Sequence, residues 1–180
     1  MNELRSLYRR TFTLALLIIS SALLAAPVST QDDLGNTVTL PAPATRIVTL
    51  SPSVVEVTYA AGAGEKIVAT VEYSDYPVPA QKIPRVGGHS KINLEAVVAA
   101  RPDLVIAWES GNSPGAIEKI RQLGIPVYMS QPHKMTDIPG EIERIGILTG
   151  TEVLAKKSAA DFRKRYQALA AKYRNRSPVR

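Results

Sequence analysis

The side chains best suited to recognising a ligand in this 180-residue chain fall into four short loops. They are Ser51-Pro52-Ser53, Tyr73-Ser74-Asp75-Tyr76, Gly87-Gly88-His89-Ser90 and Trp108-Glu109-Ser110-Gly111-Asn112, and each follows a short run rich in β-branched residues. In an open parallel sheet the loops after the strands share one edge, and ligands bind at that edge. The side chains gathered there would be hydroxyls, amides, an imidazole and aromatic faces. Such a set stacks on and hydrogen-bonds to a small molecule, whereas bond-making chemistry calls for a placed nucleophile or an acid and base held together.

The motifs that would signal catalysis are missing. Gly62-Ala63-Gly64 follows a helical stretch instead of leading from a strand into a helix, and no third glycine sits three residues beyond Gly64, so the dinucleotide fingerprint fails. Ser51 before Pro52 lacks the Gly-x-Ser-x-Gly elbow. Glu72, Asp75 and His89 are the remaining candidates for acid/base work, and nothing in their spacing fixes a geometry. The chain therefore reads as a binding protein without catalytic residues. His89 follows two glycines that let backbone come close to a ligand, and its imidazole could stack, hydrogen-bond or coordinate iron or cobalt. His133, after Gln131-Pro132, has no evident partner, and with two histidines and no cysteine no zinc site is expected.

The elements that must hold these loops alternate along the chain. Asp32 to Leu40 runs from a turn signal into a β-branched stretch and reads as an edge strand or hairpin arm. Arg46 to Leu50 reads as a buried strand, Val54 to Ala61 as a helix closed by Gly62, and Ile67 to Val71 as the next strand. Tyr76, beside Pro77, reads as a loop-packing tyrosine. Asn93 should cap a helix over Leu94 to Ala100, with Glu95 favourably placed in its first turn. Leu104 to Trp108 is an apolar strand, Pro114 opens a helix to Leu123, and Val127 to Met129 is a short strand. A helix over Asp137 to Leu148 precedes a longer one reaching Arg174. Along that last helix Ala155, Ala159, Phe162, Tyr166, Leu169 and Tyr173 recur at steps of four and three and form one apolar seam. At ~1.5 Å per residue it is about 36 Å long, more than a small lobe needs. The order predicts an α/β, Rossmann-like lobe with a mainly parallel sheet, followed by a long connecting helix.

Hydrophobic residues make up 45% of the chain and charged ones 21%, the balance of a packed globular body. The net charge of +6 is uneven: residues 151–180 carry nine basic and two acidic side chains, and residues 27–150 carry ten and thirteen. The high pI thus belongs to one terminal segment, read as a solvated helix face; the body offers no basic, aromatic-interleaved surface for nucleic acid. Arg5, Arg9 and Arg10 precede the apolar run Thr11 to Ala26, which ends in Ala25-Ala26 before Pro27. The run spans about 24 Å as a helix, short of the ~30 Å hydrocarbon core, so residues 1–26 read as a signal peptide cleaved near Ala26 and the mature chain as periplasmic. The expected organisation is then a leader over 1–26, an α/β ligand-binding lobe over 27–150, a connecting helix over 151–176, and a few further residues, 177–180.

From Arg46 onward the chain resembles the N-terminal lobe and connecting helix of helical-backbone periplasmic solute-binding proteins of ABC importers. Tyr73-Ser74-Asp75-Tyr76-Pro77, the helix start Asn93-Leu94-Glu95, and Arg101 to Trp108 followed by Gly111-Asn112 are similar to the cobalamin-binding branch in particular. The resemblance implies two α/β lobes joined by one long helix with the ligand between them. It implies that Tyr73 and Trp108 pack on a corrinoid, that Ser53 lies under it, and that Glu95 docks on permease arginines. His89 stands where the cobalamin-binding pattern has a tryptophan and is taken as a ligand contact. The transported corrinoid is a ligand, not a cofactor. An iron siderophore or haem is the alternative ligand, and a cell-envelope module that binds protein is the alternative outside transport. The family continues for another lobe after the helix, and only Ser177 to Arg180 follow here, so the second α/β lobe is absent from this chain, as a fragment or a truncated gene would have it.

Overall fold

A computed structural model describes residues 26–176 of the chain. The leader read over residues 1–26 lies, but for Ala26, outside them, as do residues 177–180. No helix among the described residues is long and apolar enough to cross a membrane.

The first two strands, β1 (Val28–Gln31) and β2 (Thr37–Leu40), form an antiparallel hairpin with a sheet of its own, separate from the main sheet. Asp32 builds its turn, accepting the Leu34 and Asn36 backbone N–H groups at 2.9 and 2.8 Å, while Gly35 supplies a φ of 82°. Val38 and Leu40 point inward, so the hairpin caps one face of the core.

The main sheet holds β3 (Ile47–Thr49), β4 (Ile67–Ala69), β5 (Leu104–Trp108) and β6 (Val127–Ser130), all parallel, in the order β4-β3-β5-β6. Helices α1 (Pro52–Ala60), α2 (Leu94–Ala99), α3 (Pro114–Gln122), α4 (Ile138–Thr149) and α5 (Glu152–Tyr173) complete the lobe. The strands are mostly apolar because both faces are covered, with buried Thr49 and Ser130 at the ends of β3 and β6. Ile47, Leu104, Ile106 and Tyr128 meet residues of α1, α4, α5 and the hairpin, and Val48, Val105, Ala107, Val127 and Met129 meet those of α2 and α3. This is the α/β lobe with a parallel sheet that the element order called for.

The chain runs from β3 out to β4 at one edge, then returns to the other side of β3 to lay down β5 and β6. The strand order therefore reverses between β3 and β5, and a crevice opens beyond their carboxyl ends. Helix α4 ends at Gly150 in the left-handed region, φ 68°, which frees the chain to turn back as α5. The two helices pack closely through small residues: a Cβ at Gly146 would stand 2.3 Å from that of Ala155. Arg163 adds a fork-on-fork pair with Glu143 at 2.7 and 2.9 Å. Ala155 and Ala159 are buried, whereas Tyr166, Leu169 and Tyr173, further along the same seam, are 38%, 55% and 48% exposed.

Candidate functional site

Three loops converge on the crevice, and one side chain joins them. Asn112 is buried just past the end of β5. Its carboxamide oxygen accepts the Trp108 backbone N–H at 2.7 Å, and its Nδ2 donates to the carbonyls of Leu50 at 2.9 Å and His89 at 2.8 Å. Leu50 follows β3, Trp108 ends β5, and His89 belongs to the Gly87-Gly88 loop. A single amide thus spans the switch point and fixes the backbone of two aromatic positions.

Trp108 is half-buried, with its ring laid over Gly111: a Cβ there would fall 1.9 Å from the indole Cε3. His89 is exposed, and its ring centroid lies 6.0 Å from that of Trp108 at an interplanar angle of 48°. The His89 loop is shaped by Gly87, whose φ of 98° no side chain tolerates easily and whose Cβ would come within 2.5 Å of the Lys91 carbonyl. A bridge between Gly87 and Ile92 closes the loop, and Asn93 then caps α2 by accepting the Ala96 N–H at 3.1 Å. Glu95 is exposed in the first turn of α2, apart from the crevice and six residues after His89. A depression of about 580 Å³ beside this loop is lined by Glu72, Gly87, Gly88, Ser90, Lys91, Ile92 and Asn93.

Tyr73 is 77% exposed and adopts a φ of 64°, a left-handed conformation that is costly for an aromatic residue. The flanking residues hold it there. The Glu72 N–H donates to the Gly87 carbonyl at 2.9 Å, and the buried Ser74 hydroxyl is paired with Thr70 at 2.9 Å. Thr70 in turn accepts from Thr49 at 2.8 Å, so a chain of buried hydroxyls underlies the edge. His89 and Trp108 are the one pair of rings in contact among the described residues, and Tyr73 stacks on neither. Tyr76 is 68% exposed, which corrects its reading as a packing tyrosine. Ser53 stands exposed in the first turn of α1, its hydroxyl 2.9 Å from that of Ser51, which caps the helix through the Val54 N–H at 3.2 Å.

Away from the crevice, Glu141 of α4 is fully buried near the end of β6. Burial pushes its carboxyl up to about 7, against a smaller opposing pull from the Ser130 hydroxyl; Asp33 adds to the rise and Arg144 opposes it. No hydrogen bond of ordinary geometry reaches either of its oxygens. Arg144 pairs with Asp33 and donates to the Tyr128 hydroxyl at 2.9 Å, tying the hairpin to this corner.

Sequence reasoning placed Asn112 in a ligand loop but gave it no role of its own. Its local signal was a polar loop after an apolar strand, and its partners lie 62 and 23 residues away.

The fold is a single α/β lobe with a parallel sheet, and the chain belongs to the periplasmic binding protein family, whose model matches residues 47–179. It is 43% identical over 140 residues to the vitamin B12-binding protein of Vibrio cholerae, an alignment covering 78% of this chain and 51% of that one. The crystal structure of the periplasmic vitamin B12 binding protein BtuF of Vibrio cholerae superposes with a TM-score of 0.73 at 42% identity, over 76% of this chain and 54% of that one. The haem binding protein HmuT is similar in fold, with a TM-score of 0.70 at 25% identity over 86% of this chain and 50% of that one. The chain thus spans about half the length of the relatives it matches.

Proposed function

We propose that this chain is the ligand-capturing lobe of the substrate-binding component of an ABC importer, taking cobalamin or a related corrinoid in the periplasm for delivery to the membrane permease. The observation that carries the reading is Trp108, held by Asn112 at the switch-point crevice beside His89, in a chain 43% identical to a vitamin B12-binding protein.

In this reading Trp108 and Tyr73 offer ring faces to the corrin, Ser53 offers a hydroxyl beneath it, and His89 completes the rim. Large rigid faces suit a broad, rigid ligand, because little side-chain entropy is lost when they are covered. The strain at Tyr73 supports a binding role: an exposed aromatic ring held in the left-handed region gains nothing visible from internal packing. Glu95 serves a different surface. Its carboxylate is fixed at a capped helix start and exposed, so a permease arginine would meet it at a defined place. The apolar run before Pro27 acts as an export signal, removed near Ala26.

Trp108 closes β5, Tyr73 follows β4 and Ser53 opens α1 after β3, which is the sequence position of ligand loops in an open parallel sheet. The haem-binding neighbour favours haem as the second reading. Isothermal calorimetry against cobalamin, haemin and a ferric siderophore separates the ligand classes. Corrinoid binding with no heat from the others is expected. Binding of haemin or siderophore alone would move the assignment to the iron chelates, and binding of none would leave an envelope protein-binding module as the reading.

A further inference from the structure

We propose that the Glu72 carboxylate is a specificity-determining contact: it accepts the N–H groups of primary carboxamides on the rim of a corrinoid and turns away ligands whose rim carries carboxylates. The inference rests on the corrinoid reading and names the side-chain chemistry that the edge admits.

Position comes first. Glu72 stands between the loops that carry Tyr73 and His89, and its backbone is tied to both. Residues 84–87 run beside residues 70–72: the Thr70 N–H donates to the Pro84 carbonyl at 2.9 Å, the Val86 N–H to the Thr70 carbonyl at 2.8 Å, and the Glu72 N–H to the Gly87 carbonyl at 2.9 Å. The carboxylate lies towards the histidine loop, with Oε2 3.8 Å from where a Cβ of Gly88 would stand. Gly88 has no side chain to cover it. There Glu72 lines the depression of about 580 Å³ together with Ser90, Lys91 and Asn93.

Availability comes second. Glu72 is exposed, and among the described residues no hydrogen bond or ion pair takes up its carboxylate. Arg85, on the neighbouring stretch, is given instead to Asp75 at 3.4 Å and to the Ser74 carbonyl at 3.1 Å. Lys91 is exposed as well and brings the opposite charge on a flexible four-carbon stem. The depression thus holds one acceptor on a fixed backbone and donors from Ser90 and Lys91.

The chemistry follows from what each rim group can give. A primary carboxamide donates through its N–H groups and accepts through its carbonyl, whereas a carboxylate only accepts. Glu72 satisfies an amide N–H, while Ser90 and Lys91 can donate to the amide carbonyl. A ligand carboxylate would use those donors and leave Glu72 facing it with like charge and no proton to share. Corrinoids carry amides around the ring, and haem carries propionates. Stacking on Trp108 reads a flat shape and treats the two alike, so the discrimination falls to a repulsive element at the rim, which is Glu72.

The test is titration of the chain with dicyanocobinamide and with dicyanocobyrinic acid, followed by quenching of the single tryptophan so that binding at the Trp108 edge is what is read. The two ligands share ring, metal and axial groups and differ chiefly in rim amides against rim carboxylates. Glu72→Gln should lower the preference for cobinamide at least fivefold at low salt, by tightening cobyrinic acid, and the change should shrink at high salt. Asp161→Asn, which removes another exposed carboxylate on α5, should leave the preference at the wild-type value. A preference unchanged by Glu72→Gln, or changed as much by Asp161→Asn, would overturn the inference and leave the corrinoid reading standing. Quenching by neither ligand would overturn the corrinoid reading and the inference with it.

Discussion

Replacing Asn112 by Ala removes three hydrogen bonds at once, and the surroundings decide how much each is worth. The bonds are to the Trp108 N–H at 2.7 Å, the Leu50 carbonyl at 2.9 Å and the His89 carbonyl at 2.8 Å. Leu50 is fully buried, so its carbonyl has no water to turn to, and an orphaned buried acceptor costs ~1–3 kcal/mol. Trp108 is half-buried and His89 exposed, so their groups recover part of the loss from solvent, leaving ~0.5–1 kcal/mol each. The total comes to roughly 2–5 kcal/mol, a large share of a typical 5–15 kcal/mol stability. Urea unfolding should show this as a lower midpoint at unchanged slope. Ligand affinity should fall as well, because both aromatic positions lose the amide that orders them. Asn112→Asp keeps the acceptor for Trp108 but turns a carboxylate towards two carbonyls, and should be no better than Ala at neutral pH. An Asn112→Ala protein with wild-type midpoint and wild-type affinity would show that the amide does not organise the edge.

Other perturbations follow from the same geometry. Glu141 binds its proton more tightly folded than unfolded, with a pKa near 7 against 4.5, so stability should fall as pH rises from ~4.5 to ~7 and level off above. Across that window the loss is of order 3 kcal/mol, and Glu141→Gln should flatten the slope in unfolding experiments at several pH values; an unchanged slope would mean the carboxyl is not the titrating group. Tyr73→Gly should relieve the left-handed strain and raise stability by up to ~1 kcal/mol while weakening corrinoid binding, whereas stability lost together with binding would argue for a packing role. Gly111→Ala should displace the Trp108 ring, read as a shift in the emission of the single tryptophan; unchanged emission would count against the packed position.

How much of this was legible in the sequence depended on the range of the interactions. The alternation of apolar runs and helical spacings gave the parallel sheet, and the polar residues after Trp108 placed that ring at the carboxyl edge because a core strand could not continue through them. The Asn93 cap and the Gly62 stop are local signals and appear where they were read. The hairpin was seen only as one arm, because Val28 to Gln31 carries no strong strand pattern and pairs through a turn built by Asp32. Asn112 was invisible as a keystone because its acceptors are backbone carbonyls distant in sequence. Glu141 looked like any polar residue of an amphipathic helix, since spacing cannot show that β6 and the hairpin close over it. The left-handed backbone at Tyr73 left no trace either, for that conformation is imposed by the bonds of Glu72 and Ser74 to other loops.

The central claim is that Trp108 anchors a corrinoid on this edge, and equilibrium dialysis of cobalamin against the wild type and Trp108→Ala tests it most directly. A buried aromatic anchor is worth ~1–3 kcal/mol, so the variant should bind roughly 5- to 150-fold more weakly while unfolding at a similar urea concentration. Equal cobalamin affinity in the two proteins, or none in the wild type, would contradict the account.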